Sequence, residues 1–379
     1  MPPTIRLLDS LEGVAPAAWD ALAGGNPTLA HAFLDALHRT GCASARAGWA
    51  PQYLTLWDAD RLEGAVPLYV KSHSYGEYVF DWAWADAYER HGLAYYPKLL
   101  AAVPFTPATG PRLLAVSPAV RVRLAHELLS LARSSGVSSL HVLFPAEQDS
   151  AALREAGLSE RTGLQFHWRN PGYSSFEDFL GALSHDKRKK IRQERRKVHE
   201  AGVRLRRATG AQASEADWDF FTDCYRRTYR AHRSTPYLNR AFFGELAARM
   251  PGNVLLVIAE REGRPIAAAF DLHSPDVLYG RYWGATEYVP GLHFEACYYQ
   301  AIEFAIERGI ALIEGGAQGE HKHARGFLPE LTRSFHWLAH PDFLRAVDDF
   351  LAREGAGVRG YADELDERSP FRRDPKQPG

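Results

Sequence analysis

The sequence predicts an α+β protein made of two similar halves. Two patterns and the composition point there. A β-hairpin, a strand, a helix and a closing strand occur in that order twice along the 379 residues. In each copy the helix ends at a glycine, Gly136 or Gly309, and an apolar strand follows directly. Apolar residues make up 46% of the chain and charged residues 24%, which excludes a wholly disordered protein. At roughly 100–200 residues per domain the length allows two or three domains.

The N-terminal stretch to about Thr40 reads as helical. Pro16 opens one helix, and Asn26-Pro27-Thr28 starts a second with Leu29, Phe33, Leu34 and Leu37 at helical spacing. Residues 52–57 and 64–70 alternate like strands around the polar turn Asp58-Ala59-Asp60. A long aromatic segment leads to a helix over 118–134 and a buried strand over 140–144. The second half has strands over 253–259, 265–272 and 277–283, a helix over 294–308, and a strand over 311–313. Aligning the two hairpins gives an offset of 202, and aligning Gly136 with Gly309 gives 173. The difference of 29 marks an insertion in the first copy, the aromatic stretch 75–109. The expected domains are therefore 1–170, 171–340 and a C-terminal helix and tail over 341–379, with the junction at the turn-rich run Asn170-Pro171-Gly172.

Lys and Arg number 45, Asp and Glu 46, for a formal net charge of −1. A uniformly basic nucleic-acid coat is excluded, but a local block is not. Three scattered cysteines, Cys42, Cys224 and Cys297, fit neither a disulfide framework nor a cysteine zinc site. The N-terminus lacks the apolar core of a signal peptide. The longest strongly apolar run, 254–259, is far short of the about 20 residues that span a membrane. The expected location is cytoplasmic.

Four segments can carry chemistry. Between His185 and Arg207 eleven Lys/Arg stand against three acids, a local charge of about +8 that leaves about −9 on the rest of the chain. Leu183, Ile191 and Val198 form its only apolar stripe, so the helix docks by one edge and turns Lys187, Arg188 and Arg192 to water or to phosphates. The loop Gly315-Gly316-Ala317-Gln318-Gly319 follows the strand ending at Glu314 and runs into Glu320-His321-Lys322-His323-Ala324-Arg325. Its glycines allow close backbone approach to a ligand, and its polar burst supplies bases and cations. His321 and His323 lack a third ligand at diagnostic spacing, so no metal is expected. Aromatic residues, among them Trp283 beside Arg281, either pack the core or line a cleft. The turn 288–291 runs into a helix N-terminus, where backbone N–H groups either cap the helix or hold an anion. Cys297 sits in an apolar helix without an adjacent base and is not expected to act as a nucleophile.

The duplicated order is similar to the acyl-CoA N-acyltransferase (GNAT) fold in tandem. The basic segment from Leu183 to Val203 resembles the helical arm of FemAB-type peptidoglycan aminoacyltransferases. Gly76-Glu77-Tyr78-Val79-Phe80-Asp81-Trp82 resembles the FemAB-like N-acyltransferase family more specifically. So do Tyr95-Tyr96-Pro97-Lys98 through Pro107, and Leu292-His293-Phe294-Glu295 through Phe327. The resemblance covers about residues 5–350. It implies two tandem GNAT-like domains and transfer of an acyl or aminoacyl group to an amine acceptor, of peptidoglycan origin or a small molecule. The implied donor is acyl-CoA or aminoacyl-tRNA, and no other cofactor is required.

On this reading Glu314, Glu320 and His321 are the catalytic candidates. Arg281, Trp283, His293, Glu295, Gln318, Lys322 and Arg325 bind substrate, and Lys187, Arg188 and Arg192 hold donor phosphates or nucleic acid. The first copy has Pro145-Ala146-Glu147-Gln148 where the second has its charged loop, so the full site is expected in the second. The alternatives are an RNA-binding module on an inactive acyltransferase fold, with the basic arm as its function, and an acyl-CoA-binding scaffold without turnover.

Overall fold

The computed structural model describes residues 3–316 and 319–372. Two compact units divide the chain. One holds the chain up to Leu164 together with 331–360; the other holds 165–330 together with the chain from Tyr361.

In the first unit, Thr4–Leu8, Tyr53–Asp58, Arg61–Val66 and Leu114–Ala115 form a four-stranded sheet in that order. Pro67 cannot donate to a ladder, and the chain there leaves one sheet for another. It resumes as Leu68–Lys71, paired with Trp49–Pro51 on one side and Lys98–Ala101 on the other. Lys98–Ala101 lies parallel to Ser139–Leu143, and the helix Pro118–Ser134 connects them. Ser117 caps that helix through Val120 N–H, and Pro118 occupies its first turn. Leu124 and Leu128 on its inner face pack on Leu54, Leu68, Leu140 and Val142, all at most 1% exposed.

The third strand of the first copy thus lies inside the stretch 75–109, which was expected to be an insertion. That stretch also forms the helix Trp82–Arg90. The strand is only four residues long and opens on the buried Lys98, so its short apolar run stands out little within the aromatic stretch.

The second unit orders its strands Val203–Thr209, Val254–Arg261, Arg264–His273, Val277–Ala285 and Leu312–Glu314, followed by the end of Ser159–Arg169. All pairs are antiparallel except Val277–Ala285 with Leu312–Glu314. The helix Glu215–Ala231, opened by a capping box between Ser214 and Asp217, packs on the central strands. Gly284 permits that approach: a Cβ there would stand 2.1 Å from the Cys224 carbonyl oxygen.

The closing strand of each unit comes from the other half of the sequence. Residues 167–169 pair with Leu312–Glu314 in the second unit, and 334–338 pair with Ser139–Leu143 in the first. The chain therefore passes between units after 164, 330 and 360 rather than near 170 and 340. The expected short helix after 340 is the 27-residue Pro341–Glu367. Its Val347 and Leu351 pack with Trp84, Tyr88 and Tyr95 in the first unit. No helix among the described residues is long and apolar enough to cross a membrane.

Candidate active site

Val277–Ala285 and Leu312–Glu314 pair in parallel over three residues only, ending at Tyr279 opposite Glu314. Beyond that point Val277–Ala285 stays on its antiparallel neighbour, with a bulge at Phe270/Asp271, and Gly315 begins the glycine loop. At Gly315 a Cβ would meet the Phe166 carbonyl at 2.9 Å and the Lys322 side chain at 3.1 Å. Only glycine lets the loop turn here with Lys322 folded against it.

The helix over 292–308 supplies the next layer. Its residues Glu295–Tyr299 form a π-turn, a geometry that recurs at functional sites. From this wide turn Tyr298 and Tyr299 reach the turn Glu320–Arg325, and Glu295 reaches the basic helix His185–Glu200. The Tyr298 hydroxyl is 2.9 Å from His321 Nε2. Arg325 is 2% exposed and lies 3.4 Å over the Phe294 ring. It donates to Tyr299 Oη (3.1 Å), to the His321 carbonyl (2.7 Å) and to Glu194 (2.7 Å). Glu295 forms a two-pronged pair with Arg195 at 3.0 and 3.1 Å. Arg195 also binds Glu303 at 2.7 Å and stacks on Phe176. Arg325 and Glu295, expected to touch substrate, therefore lock the basic helix to the site.

Lys322 is 3% exposed, and its Nζ donates to the Gly316 carbonyl at 3.2 Å. Burial brings its ammonium down to about 8. Burial, with Lys322 and Arg325 nearby, holds His321 below its usual value, so it is neutral at pH 7. His293, 6.0 Å from His321 between ring centres, is pulled down to about 4 by burial and by these same neighbours. Trp283 and His293 are 5.4 Å apart and line a cleft of about 700 Å³ with Tyr288, Leu292, Arg227 and Arg230. The cleft opens beside the loop 286–291 that enters the helix.

The remaining expected residues separate. Glu314 is buried, and its backbone pairs with Tyr279 and His167. Glu320 is exposed and receives a hydrogen bond from the Tyr361 hydroxyl. Arg281 donates to the Tyr282 hydroxyl at 3.0 Å. Gln318 lies outside the described residues. On the basic helix Arg192 pairs with Glu177 and Arg196 with Glu200; on the strand that follows, Arg206 pairs with Asp217 and Glu260, and Arg207 with Glu307. With Arg195 engaged as well, Lys187, Arg188, Lys189, Lys190, Lys197 and Arg204 are the segment's cations that form no ion pair among the described residues.

One group escaped the sequence reading. Asp271 is 2% exposed, and its Oδ2 has no hydrogen-bond partner among the described residues. The Arg281 backbone N–H, released by the strand bulge, hydrogen-bonds to its carboxylate, while burial pushes the group up to about 8. A lone acid in the apolar strand 266–272 was the available signal. Cys297 lies within electrostatic reach of Asp271, and burial drives its thiol well above the usual range, so it is no thiolate nucleophile.

Each unit thus carries the parallel strand–helix–strand core of an N-acyltransferase of the GNAT type, and the fold is two such domains in tandem. The chain belongs to the FemAB-like family, described as peptidoglycan biosynthesis/recognition, which it matches over residues 10–373. Among solved structures it is similar to FemX, at 9% identity and a TM-score of 0.56, covering 88% of this chain and 98% of that one. It is also similar to L-PGS from Bacillus licheniformis, at 11% identity and TM-score 0.52, covering 90% and 96%. A tandem GNAT protein from the clavulanic acid biosynthesis pathway aligns at 12% identity and TM-score 0.46, covering 89% and 99%. No curated protein matches the sequence.

Proposed function

We propose that this protein transfers an acyl or aminoacyl group to an amine, at the point where the two parallel strands of the second unit part. One observation carries the reading: a buried lysine, Lys322, folds against the glycine loop that follows the second of those strands, and a neutral histidine, His321, is its neighbour in the chain. Transfer to an amine needs a polarised donor carbonyl and a group to take the amine's proton. Lys322, charged below about pH 8, stabilises the oxyanion that forms on the donor carbonyl. His321, oriented by Tyr298, accepts the proton. The cleft beside the loop 286–291, with Arg227 and Arg230 in its wall, suits the phosphate-bearing end of the donor. Acyl-CoA and aminoacyl-tRNA both bring phosphates. The unpaired cations of the basic helix favour the longer polyanion, tRNA.

The test is a transfer assay with both donors and a panel of amine acceptors. Lys322→Ala and His321→Ala are each expected to slow turnover by about 10²–10⁴-fold with folding intact. In the unaltered protein turnover falls as the pH rises through about 8, where Lys322 loses its charge. Full turnover in the double variant refutes the site. RNA affinity without turnover of any donor favours the binding-module reading instead.

A further inference from the structure

The transfer reading leaves one proton unassigned. His321 takes the proton of the incoming amine and Lys322 meets the oxyanion, but nothing yet serves the leaving group. A thiol titrates at about 8.5, so a thiolate departs without a proton. An alkoxide is a far stronger base, and its departure needs an acid beside it. Among the described residues of the second unit, Asp271 is the buried carboxyl with an unpartnered oxygen.

The ladder register puts Asp271 at the parting of the strands. Val277–Ala285 and Leu312–Glu314 pair last at Tyr279 opposite Glu314, so Gly280 and Gly315 are the first residues beyond. On its other side Gly280 pairs with Asp271, at the bulge. Gly315 turns its N–H away to the Phe166 carbonyl at 3.2 Å. Burial changes at the same place: Leu278, Tyr279, Ile313 and Glu314 are buried, while Gly280, Arg281, Gly315 and Gly316 are partly exposed. Solvent therefore reaches the parting from outside. Gly280 has no conformational need of glycine, since its φ is not positive. What it supplies is room. Outside the adjoining residues, the atoms nearest to a Cβ there are the Glu314 carbonyl oxygen at 3.4 Å, Asp271 Oδ1 at 3.8 Å and the Gly315 carbonyl carbon at 3.9 Å. A methyl-sized gap thus separates the Asp271 carboxyl from the start of the glycine loop. The Lys322 side chain stands 3.1 Å from a Cβ at Gly315. Cys297 lies within electrostatic reach of both Asp271 and Lys322, so the acid and the cation share one neighbour.

Burial pushes the Asp271 carboxyl up to about 8, so it carries its proton at pH 7. An un-ionised carboxyl is a hydrogen-bond donor, and among the described residues nothing meets its Oδ2. We propose that Asp271 is a further catalytic residue, the acid that gives its proton to the leaving oxygen of an ester donor held at the gap beside Gly280. The inference rests on the transfer reading and narrows its donor class to oxygen esters, the linkage of aminoacyl-tRNA. In this step the amine nitrogen bonds to the donor's carbonyl carbon, and the bond from that carbon to the ester oxygen breaks. The amine loses one proton to His321, and the leaving oxygen takes one from Asp271. Exchange with water then returns a proton to Asp271 and removes one from His321. The sum is ester plus amine to amide plus alcohol.

The experiment is the transfer assay on the whole protein with two donors that carry the same aminoacyl group, aminoacyl-tRNA and the aminoacyl-CoA thioester. Asp271→Asn keeps an oxygen for the Arg281 N–H but has no acid proton. It is expected to lower kcat with the ester by about 10²-fold or more, to leave KM near its original value, and to slow the thioester by less than about tenfold. Gly280→Ala fills the gap without a strained φ, and is expected to slow transfer from the ester by about tenfold or more with folding intact. A loss equal for both donors in Asp271→Asn makes the residue structural and overturns the proposal. So does full turnover of the ester in Asp271→Asn or Gly280→Ala, or transfer by the unaltered protein from the thioester alone. Transfer from neither donor by the unaltered protein overturns the transfer reading, and this inference with it. Should Asp271→Asn fail to fold, aminoacyl esters with leaving alcohols of graded acidity decide on the unaltered protein. A rate nearly independent of leaving-group acidity is expected, and a steep dependence overturns the proposal.

Discussion

Arg325 shows how a residue chosen for its charge acquires a different role once its neighbours are known. Its guanidinium is spent on Glu194, Tyr299, the His321 carbonyl and the face of Phe294. That leaves Lys322, three residues earlier on the same short segment, as the buried cation folded against the glycine loop. Arg325→Met removes one partner of a mostly buried pair, Glu194 being 15% exposed, and is expected to destabilise the second unit by about 3–5 kcal/mol. Urea unfolding measures this. Turnover should fall with it, because His321 and Lys322 sit on the turn that Arg325 holds. Unchanged stability shows that the pair adds nothing. His321 and Lys322 stood out in the sequence because charged and imidazole groups clustered where a loop was expected, and His293 because it lies in the family-like stretch from Leu292. Asp271 did not, because its importance lies in what it lacks, a partner for Oδ2.

The element that most needed its surroundings is the basic helix His185–Glu200. Of its expected apolar stripe, Ile191 and Val198 lie on the helix and are 1% exposed, whereas Leu183, although buried, precedes the helix in an extended stretch. The charge of about +8 was read correctly, but as a uniform face. Acids far along the chain, Glu295, Glu303 and Glu307 among them, neutralise part of it. The polyanion surface contracts to Lys187–Lys190, Lys197 and Arg204. Replacing Lys187, Lys189 and Lys190 with Ala should therefore weaken RNA binding and reduce the slope of log K against log salt by about 2, as expected for three lost phosphate contacts on a single strand. Filter binding across a salt series measures both, and an unchanged slope removes this face from RNA recognition. The π-turn Glu295–Tyr299 had no sequence signal. Its cause is tertiary: the wider turn lets Glu295, Tyr298 and Tyr299 serve three different partners.

For the whole molecule, burial of histidine governs the acid side of stability. Burial brings His38 and His141 in the first unit to about 4 and about 3, and His167 and His293 in the second to about 4 each. Between pH 6.5 and 4 the unfolded chain binds protons that the folded one refuses, so stability falls as the pH drops through that window. Asp149, Glu77 and Asp271, pushed up to about 6, 7 and 8, pull the other way but are fewer. Thermal melts at fixed ionic strength are expected to show transitions moving down between pH 7 and 5. A rise over that range contradicts the histidine account.

Local patterns determined the hairpin, helix and closing strand of each half, the third strand of the second half, and the glycine loop after Glu314. Periodicity, proline and glycine act within one turn or one strand, so a single sequence displays them. Only the tertiary structure decided which strand closes each unit, that Lys98–Ala101 is a core strand despite its lysine, and which cations remain unpaired. Those outcomes depend on partners more than a hundred residues away. A buried charge is tolerated only where such a partner meets it, and neither spacing nor composition records where that happens.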